Sequence, residues 1–276
     1  MDESAPSSTN LINFLQAQFE EGKQYRTINS YRSAVSSTLG TCPVLGRPIG
    51  QDPLVSRFMR GVLRQRPPKN KLFPTWDVTS VLNHLKSWGE TKSLPLKKLL
   101  MKTAFLLALV CYKRPADLCN MQIQPGYWQL SMRGFSCQPL GFGKTEIHNP
   151  TPPIIVEPFL EDPQLCPVYH MVRLEKRLCK LRSGTVKQFW ISAKKPYNPV
   201  TPHTMSRWLK RVIMGSGALA GAARDVRSAG ASTAVQASLD MARILKAADW
   251  QRLSTLKRHY FKPQRLESLS SILRVA

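Results

Sequence analysis

A chain of 276 residues with 42% apolar and 21% charged content has room for one sizeable core or two modest domains, and this balance excludes a mainly disordered state. Forty Lys and Arg against 17 Asp and Glu leave a net charge of +23 at pH 7, which favours nucleic acid as partner, with an anionic lipid surface or an acidic protein as rivals. Six widely spaced cysteines without a CxxC pair exclude a disulfide framework and a zinc knuckle, and the apolar run at 103–112 is about half the length of a bilayer crossing. No secretory signal opens the sequence, so an intracellular protein away from membranes is expected.

In chain order, residues 1–8 read as a disordered lead. Thr9 is a candidate cap for a first helix with Leu11, Phe14, Leu15 and Phe19 at helical spacing. Thr27 is a candidate cap for a second, with Ile28, Tyr31, Ala34, Val35 and Leu39 on one side. A third helix has the clearest start: Asp52 as cap and Pro53 in the first turn, followed by an apolar stripe of Leu54, Val55, Phe58, Met59, Val62 and Leu63. Its other side carries Arg57, Arg60 and Arg64, and Arg66, Lys69 and Lys71 continue the basic run without an acidic partner. These six are the candidate DNA-binding residues; the alternative is a solvated face.

Pro67 and Pro68 end that helix and open a basic linker at 66–75. A fourth helix is expected from Asp77, either closing the first domain or opening the second. Residues 94–112 are predicted to form a helix buried in a larger domain, and Pro115 permits a new helix immediately after Lys113-Arg114. From 127 to 156 the period changes, and stretches at 127–132 and 152–156 predict a small antiparallel sheet with Lys144 near a hairpin. Helices return at 166–181, 204–214, around 229–237, at 240–247 and after Ser254. The predicted fold class is mainly α. It comprises a small helical domain at 9–65, the linker, and a larger, mostly helical domain at 76–265 with a small antiparallel sheet. A last helix at 266–276 packs on its own domain or on a neighbouring protomer.

The tail carries the candidate chemistry. Arg224 and Arg227 sit beside a small-residue run that permits close helix packing, Asp249-Trp250 ends a helix, and Tyr260 lies about two turns inside the next one. Two arginines can grip non-bridging phosphate oxygens, a tyrosine can form a phosphate ester that stores the energy of the broken bond, and a lysine can protonate the departing oxygen. That chemistry needs neither metal nor cofactor. Each residue also has a plain structural reading: Arg114 as an ion pair with Asp117, Lys144 as a solvated loop residue, Trp250 and Tyr260 as core aromatics.

The order of these pieces resembles the tyrosine recombinase (phage integrase) family, and within it the branch of DIRS-type and Ngaro-type retrotransposons. Thr27-Ile28-Asn29-Ser30-Tyr31-Arg32-Ser33-Ala34 resembles the core-binding helical domain. Pro53-Leu54-Val55-Ser56-Arg57-Phe58-Met59 with Arg66-Pro67-Pro68 resembles the linker region, and Ser206-Arg207-Trp208-Leu209-Lys210 resembles the segment before the second arginine box. The resemblance implies that Arg114 is the first catalytic arginine, with Asp117 as its acidic companion. It likewise implies that Lys144 is the hairpin lysine, Arg227 the box arginine, Trp250 the His-or-Trp residue and Tyr260 the nucleophile. The Trp250–Tyr260 spacing is one residue longer than is common in the family, where it falls on His259. Arg224 stands where the family has histidine; arginine binds phosphate but stays protonated and cannot accept a proton. The implied function is DNA cleavage and rejoining through a 3′-phosphotyrosyl intermediate, in recombination or integration of a mobile element. The alternative is a weakened or inactive DNA-binding descendant. Double-stranded DNA, a homotetramer on paired duplexes and, in a eukaryote, a nuclear location follow from the resemblance.

Overall fold

The computed structural model describes residues 7–42, 46–68, 76–139, 152–219 and 221–261, in two compact units, Met1–Lys71 and Leu72–Ala276.

The first unit holds α1 (Ser8–Glu20), α2 (Tyr25–Leu39), a two-residue antiparallel pair β1 (Thr41–Cys42) and β2 (Arg47–Pro48), a 3-10 turn at Ile49–Gln51, and α3 (Pro53–Gln65). Two expected caps move. Ser7, not Thr9, accepts from the Asn10 N–H at 3.1 Å, and α2 starts at Tyr25 without a side-chain cap, so Thr27 lies inside its first turn. A helix signalled only by hydroxyl residues near its start leaves the cap ambiguous by a residue or two. Asp52 does cap α3, accepting from Leu54 N–H at 2.7 Å, with Pro53 in the first turn. The core is Leu11, Leu15, Ile28, Ile49, Val55, Met59 and Val62. Leu54 and Leu63 were expected in the buried stripe but are exposed: the unit has only two other helices to cover α3, so the stripe narrows to the i, i+4, i+7 line of Val55, Met59 and Val62.

Arg66 also departs from expectation. Its Nη1 donates to the carbonyls of Phe19 at 3.1 Å and Lys23 at 2.5 Å, and its guanidinium lies 4.1 Å from the Phe19 ring centroid. It closes the C-terminal end of α1, where carbonyls lack helical partners, rather than extending a DNA-facing surface. Arg57, Arg60 and Arg64 are exposed on α3. Lys69 and Lys71 lie outside the described residues, as does the expected last helix.

The second unit is built around α5 (Leu96–Cys111), whose residues from Leu99 to Leu109 are all buried. An all-round apolar helix needs neighbours on every side. These are α7 (Pro167–Leu178), α8 (Pro202–Gly215) and α9 (Ala223–Gln236). α4 (Val78–Lys86) begins at Asp77 as expected, with its carboxylate accepting from Ser80 N–H at 2.7 Å. α6 (Pro115–Cys119) starts at Pro115. The sheet is antiparallel in the order β3 (Trp128–Ser131), β4 (Gly134–Cys137), β5 (Ile154–Val156), with Trp128 opposite Cys137 and Phe135 opposite Val156. β4 was not foreseen: Gly134-Phe135-Ser136-Cys137 alternates, with Phe135 and Cys137 buried, but four residues are too short a run to stand out as a strand. The tight hairpin is at Met132-Arg133, and Lys144, between β4 and β5, lies outside the described residues. α10 (Met241–Ala248) and α11 (Leu253–Thr255) lead into a π turn, Leu256–Tyr260.

The tail segments pack on α9 through their own small cluster of Ala231, Ala234, Ile244, Ala248, Trp250 and Leu256. α9 approaches the end of α5 closely enough that a Cβ on Gly230 would sit 2.3 Å from the Leu109 carbonyl oxygen and 3.2 Å from Tyr112. The clash is with backbone, which cannot swing away. Gly230→Ala is expected to destabilise the second unit by roughly 1–3 kcal/mol or more, read as a lower urea midpoint; an unchanged midpoint would contradict this packing.

His170 sits buried on α7, its Nδ1 3.1 Å from the Thr91 hydroxyl and its Nε2 2.9 Å from the Gln164 carbonyl. Burial first, then the positive charge of Lys102, pushes its pKa from 6.5 to about 4. Between these values the unfolded chain binds the extra proton, so this contribution to stability falls as pH drops from 6.5 to about 4. His170→Gln removes the effect: the wild-type minus variant stability is expected to decline by up to ~3 kcal/mol over that window, and a difference that stays flat with pH would overturn it.

Candidate active site

Three segments converge on α9. The first is the α5–α6 junction, where Tyr112 adopts a left-handed conformation (φ 52) that ends α5 and turns the chain through Lys113 and Arg114 into α6. The second is the end of α10, where Asp249 is also left-handed (φ 57) and hands the chain to Trp250. The third is the π turn that ends on Tyr260.

Arg227, in the second turn of α9, is at the centre. Only 4% of it is exposed. Its Nη2 donates to the Ala248 carbonyl, and its Cζ lies 4.9 Å from the Trp250 ring centroid and 5.1 Å from that of Tyr260. The two rings stack, with centroids 4.4 Å apart and planes 30° apart. Such a three-way contact, with the cation beside the stacked pair, orients the guanidinium and both rings together. Ser232 of α9 donates to the Tyr260 carbonyl at 3.2 Å, tying the tyrosine's backbone to the same helix.

Two buried donors in this group, Arg227 Nε and the Trp250 indole Nε1, have no hydrogen-bond partner among the described residues. Burying an N–H unpaired costs about 1–3 kcal/mol, and a site that binds an acceptor is one reason for a protein to tolerate it. Burial, and then the positive charge of Arg114, lower the Arg227 pKa to about 10, against the smaller raising effects of Tyr260, Asp117 and Asp249. Arg227 therefore remains a cation at neutral pH. The depression records chiefly its burial, and second the like charge of Arg114 nearby.

Arg114 is exposed at the N-terminal end of α6. Its expected side-chain ion pair with Asp117 does not form: the Asp117 carboxylate accepts the backbone N–H of Arg114 at 2.8 Å. The acid thus fixes the start of α6 and leaves the guanidinium without an ion pair. Arg224 is exposed in the first turn of α9, three residues before Arg227, and has no hydrogen bond or ion pair among the described residues. Lys144 cannot be located in this arrangement, since it lies outside the described residues. Arg57, Arg60 and Arg64 belong to the other unit.

Tyr260 differs from its expected setting. It ends a π turn, closed by Phe261 N–H to the Leu256 carbonyl at 2.8 Å, rather than lying two turns inside an α-helix. An i→i+5 turn takes up one residue more than an α turn. The turn thus takes up one extra residue just before the tyrosine, and Tyr260 meets the Trp250 ring. Tyr260 is half-buried, with its ring against Trp250 and Arg227 rather than sealed in the main core.

The chain shares its architecture with DNA recombinases and integrases of known structure. It superposes on the Tn1549 transposon integrase in complex with transposon right-end DNA with a TM-score of 0.64 at 13% identity, over 100% of this chain and 85% of that one. On the XerH site-specific recombinase bound to a palindromic difH substrate, a post-cleavage complex, the TM-score is 0.63 at 15% identity, over 99% and 74%. On a lambda integrase dimer bound to a COC′ core site it is 0.55 at 17% identity, over 97% and 84%. The fold is that of the tyrosine recombinases. No protein-family model and no curated protein matches the sequence.

Within this recombinase fold, two residues escaped the sequence reading. Lys113 is 4% exposed and adjoins Arg114. Asp249 is the left-handed residue between α10 and Trp250 and lies near enough to act on the charges of Lys113 and Arg227. Lys113 had a faint signal, a cation at the end of the most apolar segment. Asp249 had none, because its role comes from backbone conformation.

Proposed function

We propose that the chain cuts and rejoins duplex DNA through a covalent phosphotyrosine. The Tyr260 hydroxyl attacks the scissile phosphorus, a phosphorus–oxygen bond forms to the tyrosine, and the bond to the 5′ oxygen breaks, leaving a 3′-phosphotyrosyl end and a free 5′ hydroxyl. The phenolic proton is lost to solvent or a neighbouring base, and the 5′ oxygen gains one from an acid, for which Lys144 is the candidate. A 5′ hydroxyl of a partner strand reverses the step. Arg114 and Arg227 bind the non-bridging oxygens and stabilise the charge that grows in the transition state. Trp250 supports the ring of Tyr260 and offers its indole N–H to the phosphate.

The observation that carries this reading is the Trp250–Tyr260 stack against a buried arginine, with two unpartnered donors beside it. The fold likeness supports it, since the XerH neighbour is a post-cleavage complex. The dimer and the Holliday-junction tetramer of lambda integrase support assembly on DNA, four protomers for paired duplexes. Arg57, Arg60 and Arg64 on α3, together with the net charge, supply the duplex-binding surface. Mobile-element integration of the DIRS or Ngaro kind, in the nucleus of a eukaryote, is the biological setting that the sequence resemblance suggests.

Arg224 favours a second reading, a DNA-binding protein with weakened or lost cleavage. It holds a permanent charge that grips phosphate but cannot relay a proton. Both readings are tested with nicked duplexes drawn from DNA flanking the gene. On the first, wild type forms a detergent-resistant adduct, Tyr260→Phe forms none, and Arg224→His increases the adduct by roughly tenfold or more. Adduct from Arg224→His alone, with steeply salt-dependent binding by wild type, establishes the second. Salt-sensitive binding with no adduct from either protein rejects strand cutting.

A further inference from the structure

The sequence reading and the fold leave Lys113 without a role. Only 4% of it is exposed, it has no hydrogen bond or ion pair among the described residues, and it lies in a protein of net charge +23. Burying most of a lysine without a paired anion is unfavourable, and an anion that meets the ammonium offsets that cost.

Its neighbourhood says what the missing partner is. Tyr112, directly before it, packs against the cluster that contains Trp250 and Tyr260. Arg114, directly after it, carries an exposed guanidinium released from Asp117. The charged or titratable groups facing it are Cys111 at the end of α5, Asp117 on α6, Asp249 after α10 and Arg227 on α9. Cys111 is spent on the Leu107 carbonyl and held as a neutral thiol, its pKa pushed up to about 12. Asp117 is engaged by the Arg114 backbone, and neither carboxylate pairs with the ammonium. Arg227 Nε and Trp250 Nε1 are buried donors without an acceptor among the described residues, and Lys113 lies near Arg227 with its own charge unpaired there.

We infer that Lys113 is a third cationic ligand of the phosphate that Arg114 and Arg227 hold, contacting a non-bridging oxygen in the bound complex. This rests on the reading of Tyr260 and its surroundings as a phosphate site. Together Lys113, Arg114 and Arg227 carry three positive charges against the two carboxylates of Asp117 and Asp249. The surplus charge is what a phosphodiester neutralises on binding. Burial lowers the Lys113 pKa, with smaller opposing contributions from Cys111, Asp249 and Asp117, and an incoming anion would raise it again.

The probe is orthovanadate, a tetrahedral phosphate analogue, titrated into the full chain at low ionic strength with the melting temperature as readout. Four variants are compared with wild type: Lys113→Met, Lys113→Arg, Arg227→Lys and Arg26→Ala. Lys113→Met keeps the shape of the side chain and removes its charge, so it is expected to fold with equal or higher melting temperature and to bind vanadate roughly tenfold more weakly or worse. Lys113→Arg retains more of the binding, and Arg26→Ala, exposed on α2 in the other unit, binds as wild type does. A structural lysine would behave oppositely, with Lys113→Met less stable and its vanadate affinity intact; that result overturns the inference. Vanadate binding weakened by Arg227→Lys but not by Lys113→Met rejects Lys113 and spares the phosphate site. Binding that is absent in wild type, or insensitive to Arg227→Lys, rejects the site and the inference with it.

Discussion

The candidate site depends on one buried guanidinium. Arg227 is held by the Ala248 carbonyl and by the rings of Trp250 and Tyr260, contacts that come from two stretches of chain, the end of α10 and the π turn. A cation in that position ties the end of α10 and the π turn to α9. It also sets the electrostatic problem that the rest of the site answers. Burial first, and then the charge of Arg114, lower its pKa, and burial lowers that of Lys113 nearby. An anion bound among these cations would offset both costs, which is how the proposed phosphate site would differ from a structural ion pair.

The packing that brings these segments together is equally specific. α5 is buried on every side and serves as the post around which the second unit is assembled. Gly230 lets α9 touch the end of that post, so the backbone that carries Arg227 lies beside the junction that carries Lys113 and Arg114. Asp117 secures the junction through backbone rather than side chain. Position is thereby separated from function: the acid sets the geometry, and the adjacent guanidinium is left free to bind.

Much of this was legible in the sequence where one residue type does one job. Asp52-Pro53, Asp77 and Pro115 mark helix starts because capping and proline geometry are local. Arg227, Trp250 and Tyr260, singled out by order along the chain, are brought into contact. What escaped depends on tertiary context. Arg66 reads as one more cation in a basic run, yet its use is decided by the carbonyls at the end of α1, far away in sequence. β4 has an alternating pattern of its own, but one only four residues long, and its pairing with β3 and β5 completes it. The π turn cannot be seen in hydrophobic periodicity, because one extra residue in a short segment leaves no period to read. Lys113 looks like the edge of an apolar helix until its burial is known.

The central claim is that Arg227 and Trp250 keep buried donors in reserve for a DNA phosphate. It is tested most directly by nitrogen-15 spectra of the Tyr260→Phe protein, with Arg227→Lys and Trp250→Phe assigning the Nε and indole N–H signals, recorded with and without saturating duplex DNA. Both signals should move downfield together and exchange more slowly with water once an oxygen accepts from them. If both stay where they are in the free protein while DNA is demonstrably bound, these donors do not hold the phosphate and the account of the site fails.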